Sequence, residues 1–112
     1  MELLAQEGAG LLVIRALQDR IDAAGAIQFK DRMRDLTRDS PAQRVVLDMS
    51  QVAFLDSSGL GAVVAVLKAL APERKLELSG LTPTVQKVFR LTRMDTIFTI
   101  HDVLPDGLRH AG

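Results

Sequence analysis

Residues 45–70 read Val45-Val46-Leu47-Asp48-Met49-Ser50-Gln51-Val52-Ala53-Phe54-Leu55-Asp56-Ser57-Ser58-Gly59-Leu60-Gly61-Ala62-Val63-Val64-Ala65-Val66-Leu67-Lys68-Ala69-Leu70. Val45-Val46-Leu47 is a continuous apolar run, the pattern of a strand covered on both faces, and a strand is expected over Arg44 to Asp48. A short crossing with more apolar residues leads to the polar cluster Asp56-Ser57-Ser58-Gly59. From Ser57 to about Leu70 the spacing predicts a helix, with Pro72 beyond it as a stop. A buried strand followed at once by a helix is the repeating unit of layered α/β folds.

The flanking sequence extends that unit in both directions. Leu11 to Leu17 reads as a strand, Leu76 to Ser79 and Ile97 to Ile100 as shorter ones, and Leu3 to Gln6 as an edge strand. Gly8-Ala9-Gly10 would join the first two strands as an antiparallel pair. Asp22 is expected to cap a helix running to about Arg38, with Ala26, Phe29, Met33 and Leu36 on its inner face. Its Lys30, Asp31, Arg34, Asp35 and Arg38 read as a solvated face. Pro41 punctuates the turn into the central strand. Thr82-Pro83 opens a third helix on which Val85, Val88, Phe89 and Thr92 recur at helical spacing, and a last helical turn is expected from Leu104 to Arg109. The order predicts a single α/β domain over residues 1–112, with a mixed, mostly parallel sheet of about four to five strands and helices mainly on one face.

Composition narrows the function. Of 112 residues, 47% are apolar and 25% charged, an ordinary globular balance that argues against disorder. Fourteen basic side chains offset fourteen acidic ones, so there is no net counterion-release drive toward nucleic acid. The absence of cysteine excludes disulfides and thiolate metal sites, and two histidines are too few for a closed zinc site without carboxylate help. The apolar run from Leu60 to Leu67 is too short to span a bilayer, and the N-terminus lacks the pattern of a signal peptide. A cytoplasmic protein with no cofactor and no direct membrane insertion is expected.

The cluster at residues 56–59 opens a helix, where free backbone N–H groups and the positive end of the macrodipole favour a capping hydroxyl or an added phosphate. Ser57 and Ser58 could simply be caps, Asp56 could complement the dipole, and Asp48 could merely end its strand. Gly59 and Gly61 each give up about 1 kcal/mol of helix propensity, which close approach by another element would justify. Leu60, Val63, Val64 and Leu67 form the stripe expected to face the sheet. The other side carries Ala62, Ala65, Val66 and Ala69 rather than charges, so a covering element or a protein partner is implied. The glycines match neither a dinucleotide fingerprint nor a P-loop, which lacks its lysine here. An esterase with Ser58 as nucleophile would need the Gly-x-Ser-x-Gly elbow and an activating histidine; the elbow is missing, and His101 and His110 lie isolated near the C-terminus.

Asp56-Ser57-Ser58-Gly59-Leu60-Gly61, preceded by a strand ending in Asp48 and an apolar pair, resembles the signature of STAS domains of the bacterial anti-sigma factor antagonist kind. Leu17 to Asp22 resembles that family's entry to the first helix, and Gly80, Val88, Phe89, Leu91-Thr92, Asp95 and Phe98 resemble its C-terminal third. Two departures stand out: Gln18-Asp19 replaces a glycine-containing turn, and Arg93 stands where a glycine is frequent. The resemblance implies a protein that works by binding and not by catalysis. Unmodified, it would bind an anti-sigma factor that is also a serine kinase and so release a sigma factor. Phosphorylation at Ser58, or alternatively Ser57, would end that binding, and a metal-dependent serine phosphatase would restore it. The implied partner surface comprises Asp48, Asp56, Ser57, Ser58, Gly59, Leu60, Gly61, Ala62, Ala65 and Val66, with the loops around Asp19 and Gly80 as a rim. A non-catalytic STAS scaffold, or a subunit of a sensory or membrane-transport complex, is the alternative on the same fold.

Overall fold

The fold is that of a computed structural model, which describes residues 2–104. The elements run β1 (Leu3–Gly8), β2 (Leu11–Ala16), β3 (Arg20–Ile21), α1 (Ala26–Arg38), β4 (Arg44–Asp48), β5 (Phe54–Leu55), α2 (Ser57–Leu70), β6 (Lys75–Ser79), α3 (Pro83–Leu91), a 3-10 turn (Met94–Thr96) and β7 (Thr99–His101). Five strands form one sheet in the order β1-β2-β4-β6-β7, with only β1 antiparallel to its neighbour. The sheet is therefore mixed and mostly parallel, as the alternation of strands and helices predicts. β3 and β5 pair in parallel as a separate two-stranded ribbon. The expected terminal turn beyond Leu104 lies outside the described residues.

Strand alternation gives the sheet two chemically different faces. Leu12, Ile14, Val45, Leu47, Leu76 and Leu78 point to one side and build the main core with Phe29 and Met33 of α1, Val63 of α2, and Phe89 of α3. Phe89 meets Phe98 edge-on, with ring centroids 5.6 Å apart. On the other side Leu11, Val13 and Val46 form a small cluster with Leu104. Charged pairs surround that cluster. Arg15 Nε lies 3.1 Å from Asp48 Oδ2, and Arg44 donates from Nε and Nη2 to Glu77 at 2.7 and 2.8 Å. His101 Nε2 lies 2.7 Å from the same Glu77 carboxylate.

The hydrogen bonds from Arg44 outweigh burial and, with His101 adding to them, hold the Glu77 carboxyl down to about 2. A carboxylate depressed in the folded state contributes stability that is full above its ordinary value near 4.5 and is lost as pH falls toward about 2. The shift corresponds to a ceiling of about 3 kcal/mol, and about 2 kcal/mol is the better figure because Arg44 is half-exposed. Glu77→Gln should therefore lower the denaturation midpoint at pH 7. The gap to the parent should close between pH 4.5 and 2, and a gap independent of pH would refute the assignment.

Several local expectations change in the structure. Asp22 does not cap α1: its Oδ1 accepts from the Ala24 N–H at 3.2 Å and its Oδ2 from Arg20 Nε at 3.0 Å, so it closes a turn and α1 starts at Ala26 with Gly25 before it. Thr82 precedes α3 but turns its hydroxyl to the Val52 carbonyl at 2.7 Å, tying that helix to the crossing between β4 and β5. Residues 97 and 98 fall after the 3-10 turn, and the last strand begins at Thr99. Arg93 takes φ +62°, the left-handed region that disfavours any residue with a Cβ. Arg93→Gly should relieve that cost and, after the added freedom of the unfolded chain, stabilise by up to about 1 kcal/mol. A lowered thermal midpoint would contradict it.

Candidate functional site

The first turn of α2 is built by Asp56. Its backbone is extended, its Oδ1 accepts from the Gly59 N–H at 2.8 Å, and its carbonyl accepts from Leu60 N–H at 2.8 Å. Its Oδ2 accepts from the Ala23 N–H at 3.1 Å, so one carboxylate ties the helix start to the loop before α1. The Gly59 N–H chiefly, helped by those of Ala23 and Ser58 and by nearby Arg20, holds this carboxyl below the usual carboxylate range. The cap is thus a charged aspartate, and neither serine is needed for it. Ser57 and Ser58 are exposed, and their hydroxyls bond no described residue.

Gly59 is fixed by close approach of the β3–β5 ribbon. A Cβ there would stand 2.0 Å from the Ile21 carbonyl oxygen and 2.8 Å from Leu55 Cδ1. At Gly61 a Cβ would meet nothing within 4 Å. The two glycines are thus different in kind: Gly59 lets α2 seat on β3, and Gly61 opens the outer surface. From Ser57 a shallow groove of about 410 Å³ runs past Leu60, Gly61, Val64 and Ala65 to Lys68, with Met94 as its other wall. Beside the helix start, the Arg20 guanidinium lies 4.6 Å from the centre of the Phe54 ring, which is partly exposed.

The sequence profile of the STAS domain family matches residues 2–107. BtrV of Bordetella bronchiseptica, which carries the name of an anti-sigma factor antagonist, is 32% identical over 89% of this chain and 85% of its own length. The chain is a STAS domain of the anti-sigma factor antagonist family. A crystal structure of an anti-sigma factor antagonist from Mycobacterium paratuberculosis superposes with a TM-score of 0.82 at 27% identity, covering 96% of this chain and 90% of that one. The Bacillus cell fate determinant SpoIIAA in its phosphorylated form shares the fold, with a TM-score of 0.63 at 20% identity over 88% of this chain and 90% of that one.

In this STAS domain the residues expected to form a partner surface divide by burial. Asp56, Ser57, Ser58, Leu60, Gly61 and Ala65 lie together on or near the outer side of the helix start. Gly59, Ala62 and Val66 are buried and seat α2 on the fold, so they lie outside the exposed surface at the helix start. The stripe expected to face the sheet is correspondingly rotated: the buried positions are Gly59, Ala62, Val63 and Val66, while Leu60, Val64 and Leu67 are only partly covered. Small side chains win the inner face because α1 and the ribbon come close there. Asp48 does not flank the serines, because it follows Val46 in alternation on the sheet face opposite the helices. There it is buried and held by Arg15 and by the Ser50 N–H at 2.9 Å. Gly80, at φ +68°, packs against Ser50 and Asp48 on that side. The Asp19 loop does reach the site, because its carbonyl accepts from the Ala53 and Phe54 N–H groups at the start of β5. His101 is engaged by Glu77, and His110 lies outside the described residues.

Sequence reasoning missed Met94, Lys68 and the Arg20–Phe54 stack. A methionine after an irregular αL residue carries no periodic signal, and the stack depends on a ribbon of two residues per strand. Among the described residues no helix is long and apolar enough to cross a membrane.

Proposed function

We propose that this STAS domain, a single unit over residues 1–112, acts in the cytoplasm as a phosphorylation-controlled antagonist. In its unmodified form it binds an anti-sigma factor that is itself a serine kinase, and a sigma factor is thereby released. That kinase phosphorylates Ser58, with Ser57 as the second choice, and a metal-dependent serine phosphatase reverses the step. The output is binding and not catalysis. The contact surface is formed by Asp56, Ser57, Ser58, Leu60, Gly61 and Ala65, with the groove toward Lys68 and Met94 as its continuation.

The observation that carries this reading is the division of labour at the helix start. Asp56 supplies the cap, and two hydroxyls stand exposed and unengaged on a rigid first turn. A serine needed as a cap would resist modification, whereas these can be modified without removing a bond that holds the fold. An added phosphate would stand at the favourable end of the helix dipole, so the domain need not refold to carry it.

The test is tandem mass spectrometry after incubation with ATP and cleared lysate of the source organism, repeated with Ser58→Ala. Phosphate on Ser58 that disappears in the variant is the expected result. Phosphate on Ser57 would change only the acceptor. Absence of phosphate where a control kinase substrate is labelled would overturn the switch and favour an unregulated scaffold or transport-complex subunit.

A further inference from the structure

A second groove, of about 540 Å³, lies between α1 and α2, within the size range of binding clefts. Its floor is apolar and small, with Ala65, Val66, Ala69 and Leu70 of α2. Its α1 wall is a row of cations, Lys30, Arg34 and Arg38, at successive spacings of four. Such spacing sets them on one line of the helix, spanning roughly 12 Å. Arg74 closes the groove at the end where Glu73 is the one acidic lining residue. Arg74 is itself bound to the carbonyls of Ala42 and Thr37 at 2.7 Å, so it braces the wall.

The sequence suggests a mixed, solvated charge face on α1, but the structure separates the signs. Asp31 and Asp35 do not line the groove, although they pair with Arg34 at 3.4 Å and Arg38 at 3.1 Å. Those pairs are largely exposed, and exposed pairs of this kind are worth little and exchange readily. Lys30 has no ion pair among the described residues. A chain of zero net charge thus concentrates cations along one edge of a groove.

We propose that this groove is a second docking site, for a partner-protein helix bearing acidic residues at every third or fourth position beside an apolar stripe. The geometry favours a helix over a small anion. One carboxylate needs one cation, whereas three cations in register over two turns match the repeat of a helix laid alongside. Ala65 and Ala69 let its backbone approach, as small residues do where helices pack closely. The site goes beyond the serine switch and does not depend on it, although Ala65 borders both surfaces. Ala69 lies roughly 16 Å along α2 from Ser58, and a phosphate there would leave the cation row untouched.

The test is selection of helix-biased random peptides on the full chain, with the Arg34→Glu/Arg38→Glu variant as counter-target, followed by amide chemical-shift mapping of the winners. Retained peptides should carry a repeating acidic stripe and perturb Arg34, Ala69 and Leu70. They should lose at least about tenfold in affinity for the charge-reversed chain and weaken as salt rises. Ala69→Phe, which fills the floor without altering charge, should weaken them similarly, and Ser58→Asp should not. Winners lacking acidic residues, shifts centred on Ser57 and Gly61, or no peptide that depends on Arg34 and Arg38 would each overturn the proposal. Saturation of the groove by dodecanoate with no acidic helix retained would also overturn it, making the groove a site for small amphiphiles.

Discussion

Gly59→Ala should destabilise the fold by at least about 3 kcal/mol, at or above the upper end of ordinary overpacking costs. The added methyl would meet the Ile21 carbonyl oxygen at 2.0 Å, and that atom belongs to backbone, which cannot swing aside as a side chain would. Relief would require the first turn of α2 to lift from β3, which would break the tie from Asp56 to the Ala23 N–H. With total stabilities of about 5–15 kcal/mol, such a loss is a large share of the whole. Gly61→Ala provides the internal control. It adds the same methyl two residues later into open space, and should stabilise by up to about 1 kcal/mol through helix propensity. Denaturant midpoints for the two variants check both signs, and equal stability of Gly59→Ala and the parent would refute the seating of α2 on β3.

Ser58→Asp should weaken binding to the proposed anti-sigma factor kinase at least about a hundredfold, or about 2.8 kcal/mol, while Ser58→Ala binds as the parent does. The cause is electrostatic. Phosphoserine carries about −1.5 to −2 at neutral pH, and it would stand next to Asp56, a carboxylate held charged by backbone donors. Two adjacent anions in a contact surface must both be desolvated, a penalty that complementary interfaces avoid. The folded domain should tolerate the change, since an anion in the first helical turn is favourable, so thermal midpoints of both variants should stay near that of the parent. Calorimetric titration against the kinase decides it: equal affinity for Ala and Asp variants would end the proposed switch.

Much of this architecture was legible because periodicity and punctuation agreed. Val45-Val46-Leu47 carries the pattern of a doubly covered strand, and Ser57 to Leu70 is bounded by its polar start and Pro72; both elements appear at these positions. Residues settled by long-range geometry escaped that logic. Asp and Ser are both good caps, and the second bond that Asp56 makes, from the Ala23 N–H 33 positions away, leaves no local pattern. The inward face of α2 was misread because apolar residues surround that helix, so no moment pointed to Gly59, Ala62 and Val66 over Leu60 and Val64. The β3–β5 ribbon has two residues per strand, too short for any period. Gly59 bore a detectable signal, a costly residue in a first turn, but its cause lay in Ile21.

The strand order has a consequence for the nascent chain. β2, β4, β6 and β7 are added in the order in which they are made, each at the outer side of the last, so no later strand must insert between earlier ones. By the time α2 has emerged, three adjacent strands, α1, α2 and the serine turn are already present, and what remains widens the sheet toward one edge and lays α3 on its core face. A ribosome can therefore release this domain piece by piece, with the edge of β4 waiting for β6 and the core face waiting for Phe89 of α3.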